Sequence, residues 1–389
     1  MKYYIVAGEA SGDLHGSNLM RGLYEADPSA DIRFWGGELM DEVYRSHQDG
    51  TGLVRDYRDG AVMGFWEVLL KSRQLLGKLR SCKEDIQRWK PDAVILIDYP
   101  GFNFKVAEFA HGQGFKVFYY IAPKVWASRE GRIRKLKKHV DRLFIIFPFE
   151  KDYFTKKGIA FTYKGNPLID AVDNSKFTLE NREDFLTRNG LDDRSVIALL
   201  PGSRKMELSF MLPRLAGFAD KLHAVPEYSG IQFIVAGAPG RSLSDYRTLT
   251  EGRESFVKVV FGQTYGVLKH AAAAVVNSGT ASLEAALIGT PQVVGYGGAW
   301  ISFIIARQII RVKYVSLANL IIDRSAFREL LQYYFTPDTI SAEVRRLLED
   351  RKYRDRMLAD YADVREALGG SGASAAIASA MTEELKKRD

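Results

Sequence analysis

The sequence predicts an α/β protein with two parallel-sheet domains of the Rossmann type. Short apolar runs of strand length alternate with helical patterns along the chain, which is typical of parallel sheets with right-handed crossovers. This alternation breaks around residues 165–167 and starts again at residues 196–200. The length of 389 residues suits roughly two domains better than one core.

Three regions follow from these patterns. We expect an N-terminal domain at residues 1–170, a C-terminal domain at 171–350 and a helical segment at 351–389. The runs that we interpret as strands of the first domain are 3–7, 32–35, 93–97, 116–121, 143–147 and 160–163. Those of the second domain are 196–200, 231–236, 257–260, 272–276 and 292–294.

Composition excludes several classes of protein. The net charge of +7 favours a polyanionic partner: a phosphorylated ligand, an anionic lipid surface or nucleic acid. The single cysteine, Cys82, cannot form an internal disulfide, which favours a reducing cytosol, and its polar helical setting argues against a nucleophile. A charge interrupts the N-terminus before a signal peptide could develop, and no apolar run reaches the ~20 residues that span a bilayer. We therefore expect a soluble or peripheral protein.

Missing motifs narrow the chemistry. The six histidines are scattered without H-E-x-x-H spacing and there is no cysteine pair, so no zinc site is expected. No Asp-x-Asp occurs, which argues against a glycosyltransferase that holds its nucleotide through a metal. The remaining prediction is a sugar-nucleotide-dependent transferase that needs neither metal nor cofactor and binds a pyrophosphate with helix N-termini and basic side chains.

The stretch 271–289 is the most informative. An apolar strand ends in a cluster of turn and cap residues around Ser278 and Gly279, and helix-forming residues follow. A strand that turns into a helix in this way directs backbone N–H groups at an anion such as a phosphate. Glu284 lies about one turn inside that helix, in the wrong register for a capping box. It is predicted either to accept hydrogen bonds from ribose hydroxyls or to be a solvated surface residue.

Three further loops follow predicted strands. Arg204 ends a glycine loop at residues 201–204, where it could pair with phosphate. The loop 8–13 matches neither the dinucleotide fingerprint nor the P-loop, and is interpreted either as a ligand contact or as a structural turn. Asp98 ends the strand 93–97, at the edge where parallel sheets bind ligands. It is predicted either as a general base or as a residue bonded to the backbone of its own turn.

Two apolar segments and one basic segment have open interpretations. Residues 62–76 fit a core-facing helix or a patch for acyl chains or a membrane surface, and residues 300–314 fit a core helix or one lying on a membrane. The basic run 129–138 fits a solvated helix face, or contact with nucleic acid or anionic lipid.

Seven segments, read together, resemble the lipid-A-disaccharide synthase family. They match in the expected order from the first strand to the last third of the chain. The segments are residues 6–13, 61–64, 98–103, 200–204, 278–281, 294–296 and 314–320.

This resemblance implies a GT-B glycosyltransferase, a hexosyltransferase whose two Rossmann-like domains face each other across a cleft and whose C-terminal helices pack back toward the N-terminal domain. It would transfer 2,3-diacylglucosamine from UDP-2,3-diacylglucosamine to 2,3-diacylglucosamine 1-phosphate, inverting the anomeric carbon. The products would be UDP and the β-1,6 lipid A disaccharide 1-phosphate, an intermediate of lipopolysaccharide biosynthesis.

The resemblance also implies roles for individual residues. Asp98 would deprotonate the acceptor's 6-hydroxyl. The nucleotide sugar would be bound by Arg204, Ser278, Gly279, Thr280, Ala281, Glu284 and Asn319. The acceptor would be bound by Glu9, Ser11, Gly12, His15 and Met63. Acyl chains or the membrane would contact Val62, Met63, Phe65, Trp66, Leu69 and Leu70.

The implied location is the cytoplasmic face of the inner membrane, with its anionic surface as a partner, no nucleic acid, and a homodimer as one open oligomeric state. Two other readings remain. Another GT-B sugar-nucleotide enzyme, such as an epimerase or a peptidoglycan-type transferase, would share the second half without needing the apolar 62–76 region. A nucleic-acid-binding protein could use the basic run, but would leave Asp98 and the phosphate turns unexplained.

Overall fold

Two compact units make up the protein in the computed structural model, which describes residues 1–58, 67–123, 125–126, 130–297 and 313–387. The side chains of residues 67–74 and of Glu130 are not described. The first unit contains residues 1–171 and 370–389, and the second contains residues 172–369. The chain therefore leaves the first unit once and returns to it at its C-terminal end.

The first unit is built on a seven-stranded parallel sheet in the order β3-β2-β1-β4-β5-β6-β7. Its central strand β4 is completely buried, as expected for a parallel sheet with both faces covered. The strands are β1 Lys2–Ala7, β2 Asp31–Gly36, β3 Leu53–Asp56, β4 Ala93–Ile97, β5 Lys116–Tyr120, β6 Arg142–Ile145 and β7 Phe161–Tyr163.

Helices connect these strands. They are α1 Ala10–Ala26, α2 Glu38–Arg45, α3 Glu67–Trp89, α4 Pro100–Gly112, α5 Ile133–His139, α6 Glu150–Lys156 and α7 Pro167–Asp173. The prediction of a glycine-rich loop through Asp13 was wrong, because α1 already begins at Ala10. Gly12 lets this first turn approach the sheet: a Cβ at Gly12 would lie 3.2 Å from the Ala7 Cβ.

The second unit has a six-stranded parallel sheet in the order β10-β9-β8-β11-β12-β13. Its strands are β8 Val196–Leu200, β9 Gln232–Gly237, β10 Val257–Phe261, β11 Ala273–Asn277, β12 Gln292–Tyr296 and β13 Glu329–Leu331. Its helices are α8 Lys176–Leu179, α9 Arg182–Asn189, α10 Lys205–His223, α11 Arg247–Thr250, α12 Thr264–Lys269, α13 Thr280–Ile288, α14 Leu317–Ile321, α15 Pro337–Glu349 and α16 Arg351–Leu368. The predicted fold of two Rossmann-like parallel sheets is confirmed.

The C-terminal residues 351–389, which the sequence predicts as one helical segment, are divided between the two units. Helix α16 belongs to the second unit, whereas the last helix, α17 Ala373–Lys386, belongs to the first. Helix α17 packs against α1 through small residues, since a Cβ on Gly22 would lie 2.9 Å from the Ala375 Cα. Of the helices that the structure describes, none combines the length and the apolar character needed to cross a membrane.

Candidate active site

Two predicted phosphate loops lie side by side at the carboxyl edge of the second sheet. Strands β8 and β11 pair directly, with Leu200 opposite Val276, so the loops that follow them emerge together. Gly202, with φ of +97°, brings the loops into close contact. A Cβ at this position would lie 2.8 Å from the Asn277 Nδ2 and 2.5 Å from the Glu207 Oε2.

The N-terminus of α13 is the candidate anion site of this edge. Gly279 is its N-cap residue, and no side chain caps the helix. The Ser278 N–H donates to the Gly295 oxygen at 2.8 Å, which fixes the turn to the neighbouring strand β12. Among the described residues, no atom would lie within 4 Å of a Cβ on Gly279. The N–H groups of the first turn, which includes Thr280 and Ala281, therefore face no described side chain at the positive end of the helix dipole.

The N-terminus of α10 differs, because a carboxylate of the same chain occupies it. The Glu207 Oε2 accepts hydrogen bonds from the Ser203 and Arg204 N–H groups at 2.9 and 3.0 Å. The Arg204 guanidinium reaches the other oxygen of this carboxylate at 3.3 Å, and 72% of its side chain is exposed. The Ser203 and Arg204 N–H groups of this loop are therefore already bonded, whereas the charged side chain of Arg204 is largely exposed.

Glu284 is half-buried in α13, so the alternative of a solvated surface residue was wrong. Burial raises the pKa of its carboxyl, and a hydrogen bond from the Tyr265 hydroxyl, 2.9 Å from the Glu284 Oε1, acts in the opposite direction. Tyr265 lies at the start of α12 and fixes the orientation of the carboxylate. A held acceptor one turn above an anion site is suited to a sugar hydroxyl.

Asn319 lies in α14, where it is fully buried. Its side-chain oxygen accepts from the Ala326 N–H at 2.8 Å, and its amide donates to the Phe327 oxygen and the Glu329 carboxylate at 3.2 and 3.0 Å. The structure thus gives Asn319 an anchoring role for the segment that leads into β13. Its direct contact with a nucleotide sugar stays a prediction.

Asp98 lies at the carboxyl edge of the first sheet, directly after β4 and half-buried. Both Asp98 and Tyr99 have left-handed backbone conformations, with φ of +42° and +45°. The Tyr119 hydroxyl and the Asn103 amide donate to the Asp98 backbone oxygen at 2.7 and 2.9 Å. This turn is rigidly held at the place where ligands of parallel sheets bind.

The predicted acceptor residues begin beside this turn, because β1 and β4 are paired up to Ala7 and Ile97. Glu9 is the exposed N-cap residue of α1, and Ser11 is exposed in its first turn. His15, one turn further along, is buried, and burial lowers its pKa to about 4. Among the described residues its Nδ1 has no hydrogen-bond partner.

Six other predictions on apolar contacts remain without structural detail. Val62, Met63, Phe65 and Trp66 lie outside the described residues, as do residues 300–312. Leu69 and Leu70 are part of α3, but their side chains are not described. Cys82 in the same helix is buried, which raises the pKa of its thiol and keeps it protonated. Within the described ranges, no group of three or more His, Cys, Asp or Glu side chains is arranged to hold a metal ion.

A model of the lipid-A-disaccharide synthetase family matches residues 3–381, almost the whole chain. The chain belongs to this family. It is 36% identical over 370 residues to the lipid-A-disaccharide synthase of Trichlorobacter lovleyi, covering 95% of this chain and 94% of the relative. It is 37% identical over 382 residues to that of Myxococcus xanthus, covering 98% and 97%. Lipid-A-disaccharide synthases are glycosyltransferases, so the protein is a transferase of this class.

Solved structures of other enzymes share the fold of this lipid-A-disaccharide synthetase family member. The UDP-GlcNAc 2-epimerase from Neisseria meningitidis bound to UDP-GlcNAc has a TM-score of 0.72 at 14% identity, covering 98% of this chain and all of the other. The calicheamicin glycosyltransferase CalG4 has a TM-score of 0.56 at 15% identity, covering 100% and 98%. At such identities these likenesses show the GT-B fold alone.

Sequence reasoning missed the residues that hold the family's motifs in place. Asp13 is buried and accepts hydrogen bonds from the N–H groups of Gly37, Leu39 and Met40 at 2.8 to 3.2 Å, so it anchors the start of α2. Tyr265 was missed because it lies nineteen residues before Glu284 in the chain. No local pattern signals a partner at that separation, whereas Glu207, three residues after Arg204, could have been found from its capping register.

Proposed function

We propose that the protein transfers 2,3-diacylglucosamine from UDP-2,3-diacylglucosamine to the 6-hydroxyl of 2,3-diacylglucosamine 1-phosphate. The products are the β-1,6-linked disaccharide 1-phosphate and UDP. The observation that carries this proposal is the match of the lipid-A-disaccharide synthetase family to residues 3–381. Neither a metal nor a cofactor enters the proposed reaction, and the UDP-sugar is the donor substrate.

In this proposal Asp98 is the general base. It accepts the proton of the acceptor's 6-hydroxyl while that oxygen forms a bond to the anomeric carbon of the donor. The bond between this carbon and the β-phosphate oxygen of UDP breaks on the opposite side, so the configuration inverts. Support comes from the position of Asp98 at the carboxyl edge of the first sheet, in a rigidly held turn. A base positioned in this way typically contributes ~10²–10⁴-fold to the rate.

Binding of the UDP group is proposed for the second unit. The N–H groups at the start of α13, from Ser278 to Ala281, would receive the pyrophosphate, because no side chain caps that helix. Arg204 adds a positive charge in the neighbouring loop. Both would stabilise the negative charge that develops on the leaving UDP. Glu284 would accept hydrogen bonds from the ribose hydroxyls.

Acceptor, membrane and assembly contacts are further parts of the proposal. Glu9, Ser11, Gly12 and His15 would bind the acceptor beside Asp98, together with Met63. Residues 62–70 would contact acyl chains or the anionic inner surface of the inner membrane, where the net charge of +7 supports attraction. A homodimer is the proposed assembly, and nucleic acid is not a proposed partner.

The test is release of UDP from UDP-2,3-diacylglucosamine in detergent with a chelator, with and without 2,3-diacylglucosamine 1-phosphate, and mass analysis of the lipid product. We expect acceptor-dependent release and a disaccharide 1-phosphate. UDP binding without acceptor-dependent release would point to another sugar-nucleotide enzyme. Release that stops with the chelator and returns with a divalent cation would contradict the metal-independent mechanism.

The role of Asp98 is tested by Asp98→Asn, which keeps the shape of the side chain and removes its basicity. Turnover should fall by about 100-fold or more, while the affinity for UDP measured by calorimetry stays within about twofold. Asp92→Asn is the matched control, because Asp92 precedes the same strand at its other end and accepts a hydrogen bond from the Lys2 N–H. A fully active Asp98→Asn variant would remove Asp98 as the base.

A further inference from the structure

The turn after β4 has a backbone conformation that its residues do not favour. Asp98 and Tyr99 are consecutive non-glycine residues with φ of +42° and +45°. Residues other than glycine rarely adopt the left-handed backbone region, and such conformations persist only where the surroundings enforce them. Three residues of the first unit, on β5, on α4 and in the loop after β1, contact this turn directly.

The first two groups are hydrogen-bond donors to the Asp98 backbone oxygen. The Tyr119 hydroxyl, from the neighbouring strand β5, donates at 2.7 Å. The Asn103 amide, from the first turn of α4, donates at 2.9 Å and also reaches the oxygens of Ile97 and Val6 at 3.1 and 3.4 Å. The Asp98 N–H still donates to the Tyr120 oxygen at 3.1 Å. The peptide groups on both sides of Asp98 are therefore fixed.

The third residue is Gly8, which acts through the absence of a side chain. A Cβ at Gly8 would lie 2.3 Å from the Tyr99 Cδ1, so only glycine leaves room for the Tyr99 ring. That ring stacks on Phe102, with ring centres 5.6 Å apart. Gly8 in the loop after β1 therefore sets the position of the residue next to Asp98.

We propose that Tyr119, Asn103 and Gly8 are positioning residues that hold the left-handed Asp98–Tyr99 turn so that the Asp98 carboxylate is aimed at the acceptor hydroxyl. The direction of the Asp98 Cα–Cβ bond depends on the backbone angles that these residues fix. A displacement of about 1 Å at a reacting group can cost ~10²-fold in rate. This inference rests on the proposed function of Asp98 as the base.

The sharpest test is Tyr119→Phe, which removes one hydroxyl and keeps the buried ring against Phe104. We expect kcat to fall about 10- to 100-fold, with the KM for the UDP-sugar within about twofold. The matched control is Tyr120→Phe. Tyr120 is equally buried on the same strand, but its side chain points to the opposite face, toward Ser374 and Asp170. This control should keep wild-type kcat.

A double variant separates positioning from a general structural effect. In an Asp98→Asn background, Tyr119→Phe should leave the residual rate unchanged, because there is no base left to misplace. A further loss of the same size in that background would overturn the proposal. Equal kcat values for Tyr119→Phe and the wild type would also overturn it. Failure of the proposed function is distinct, since the wild type would then form no disaccharide.

A second pair of variants covers the case in which Tyr119→Phe does not fold. Gly8→Ala places a Cβ against the Tyr99 ring and should lower kcat in the same way. Gly101→Ala is its control, because a Cβ on Gly101, in the first turn of α4, would have no atom of the described residues within 4 Å. Wild-type kcat in Gly8→Ala would contradict the proposal, and loss of kcat in both variants would indicate a nonspecific effect and contradict it as well.

Discussion

At the second sheet, Glu284 provides a candidate hydrogen-bond acceptor and Tyr265 holds its carboxylate in place. The carboxylate is half-buried and held by one hydroxyl at 2.9 Å. Burial raises its pKa, which means that the folded protein disfavours the charged form. Because its carboxylate is charged but unfavourable at neutral pH, Glu284 lowers the free energy of unfolding of the unliganded protein.

We therefore predict that Glu284→Gln stabilises the unliganded protein but weakens UDP binding. The pKa of Glu284 is higher in the folded protein than in the unfolded chain. Its ionisation therefore lowers the free energy of unfolding as the pH rises from the unfolded pKa through the folded pKa, and has no effect below the unfolded pKa. The melting temperature of the variant should exceed that of the wild type at pH 7 and approach it in acid. The affinity for UDP should fall about tenfold, which corresponds to about 1.4 kcal/mol, as measured by calorimetry.

Tyr265→Phe is the matched variant, because it leaves the charge and removes only the hydrogen bond. It should weaken UDP binding less than Glu284→Gln does. An unchanged UDP affinity in Glu284→Gln would show that the carboxylate does not bind the nucleotide.

At the scale of elements, the junction of the β8 and β11 loops builds the candidate phosphate site. We predict that Gly202→Ala disrupts this junction, because its φ of +97° is unfavourable for alanine and its Cβ would contact the Asn277 and Glu207 side chains. The affinity for UDP should fall at least about tenfold, with a loss of stability of about 1–3 kcal/mol. Calorimetry and denaturant unfolding measure the two effects.

Gly289→Ala is the control for the effect of placing alanine at a positive φ. Gly289 ends α13 with φ of +88°, but in the described part of the chain no atom would lie within 4 Å of a Cβ there. It should lose stability of about 1 kcal/mol, because alanine is unfavourable at a left-handed backbone position, while UDP affinity stays unchanged. Equal losses of affinity in the two glycine variants would mean that the loop contact has no specific role.

The packing of α17 on α1 is the second element-scale feature that can be tested. Gly22→Ala should destabilise the first unit by about 1–3 kcal/mol, because its Cβ would lie 2.9 Å from the Ala375 Cα, which belongs to the backbone. Denaturant unfolding measures the change. Gly112→Ala, in α4 with open space around it, is the control and should be neutral or slightly stabilising. Equal free energies of unfolding for the two variants would show that α17 can shift away from α1 without destabilising the protein.

At the scale of the whole molecule, the charge of +7 predicts attraction to anionic lipid. The protein should sediment with vesicles that contain anionic phosphatidylglycerol and much less with neutral phosphatidylcholine vesicles. Raising the salt from about 0.1 to 1 M shortens the Debye length from about 10 to 3 Å and should release the protein. Equal binding to both vesicle types, or binding that salt does not affect, would contradict an electrostatic contact.

The sequence by itself determined the two parallel sheets and the loops that bear the candidate site. Buried strands such as β4 and β8 are continuous apolar runs, because both faces of a parallel sheet are covered. The edge strands β3 and β13 were missed, since they are short and carry charged residues that a polar edge tolerates. Asp98, Arg204 and Ser278 were predicted as site residues because each directly follows or lies within a loop after such a run.

Only the tertiary structure decided which groups hold those residues. Tyr119 reaches the Asp98 oxygen from a strand 21 residues away, and Tyr265 reaches Glu284 across 19 residues. It also divided the predicted C-terminal segment 351–389 between the two units, with α17 packed back on the first unit as the resemblance implied. These contacts depend on strand order and on close approach at glycine, which local periodicity does not encode. The sequence therefore located the candidate chemistry, and long-range packing determined its orientation.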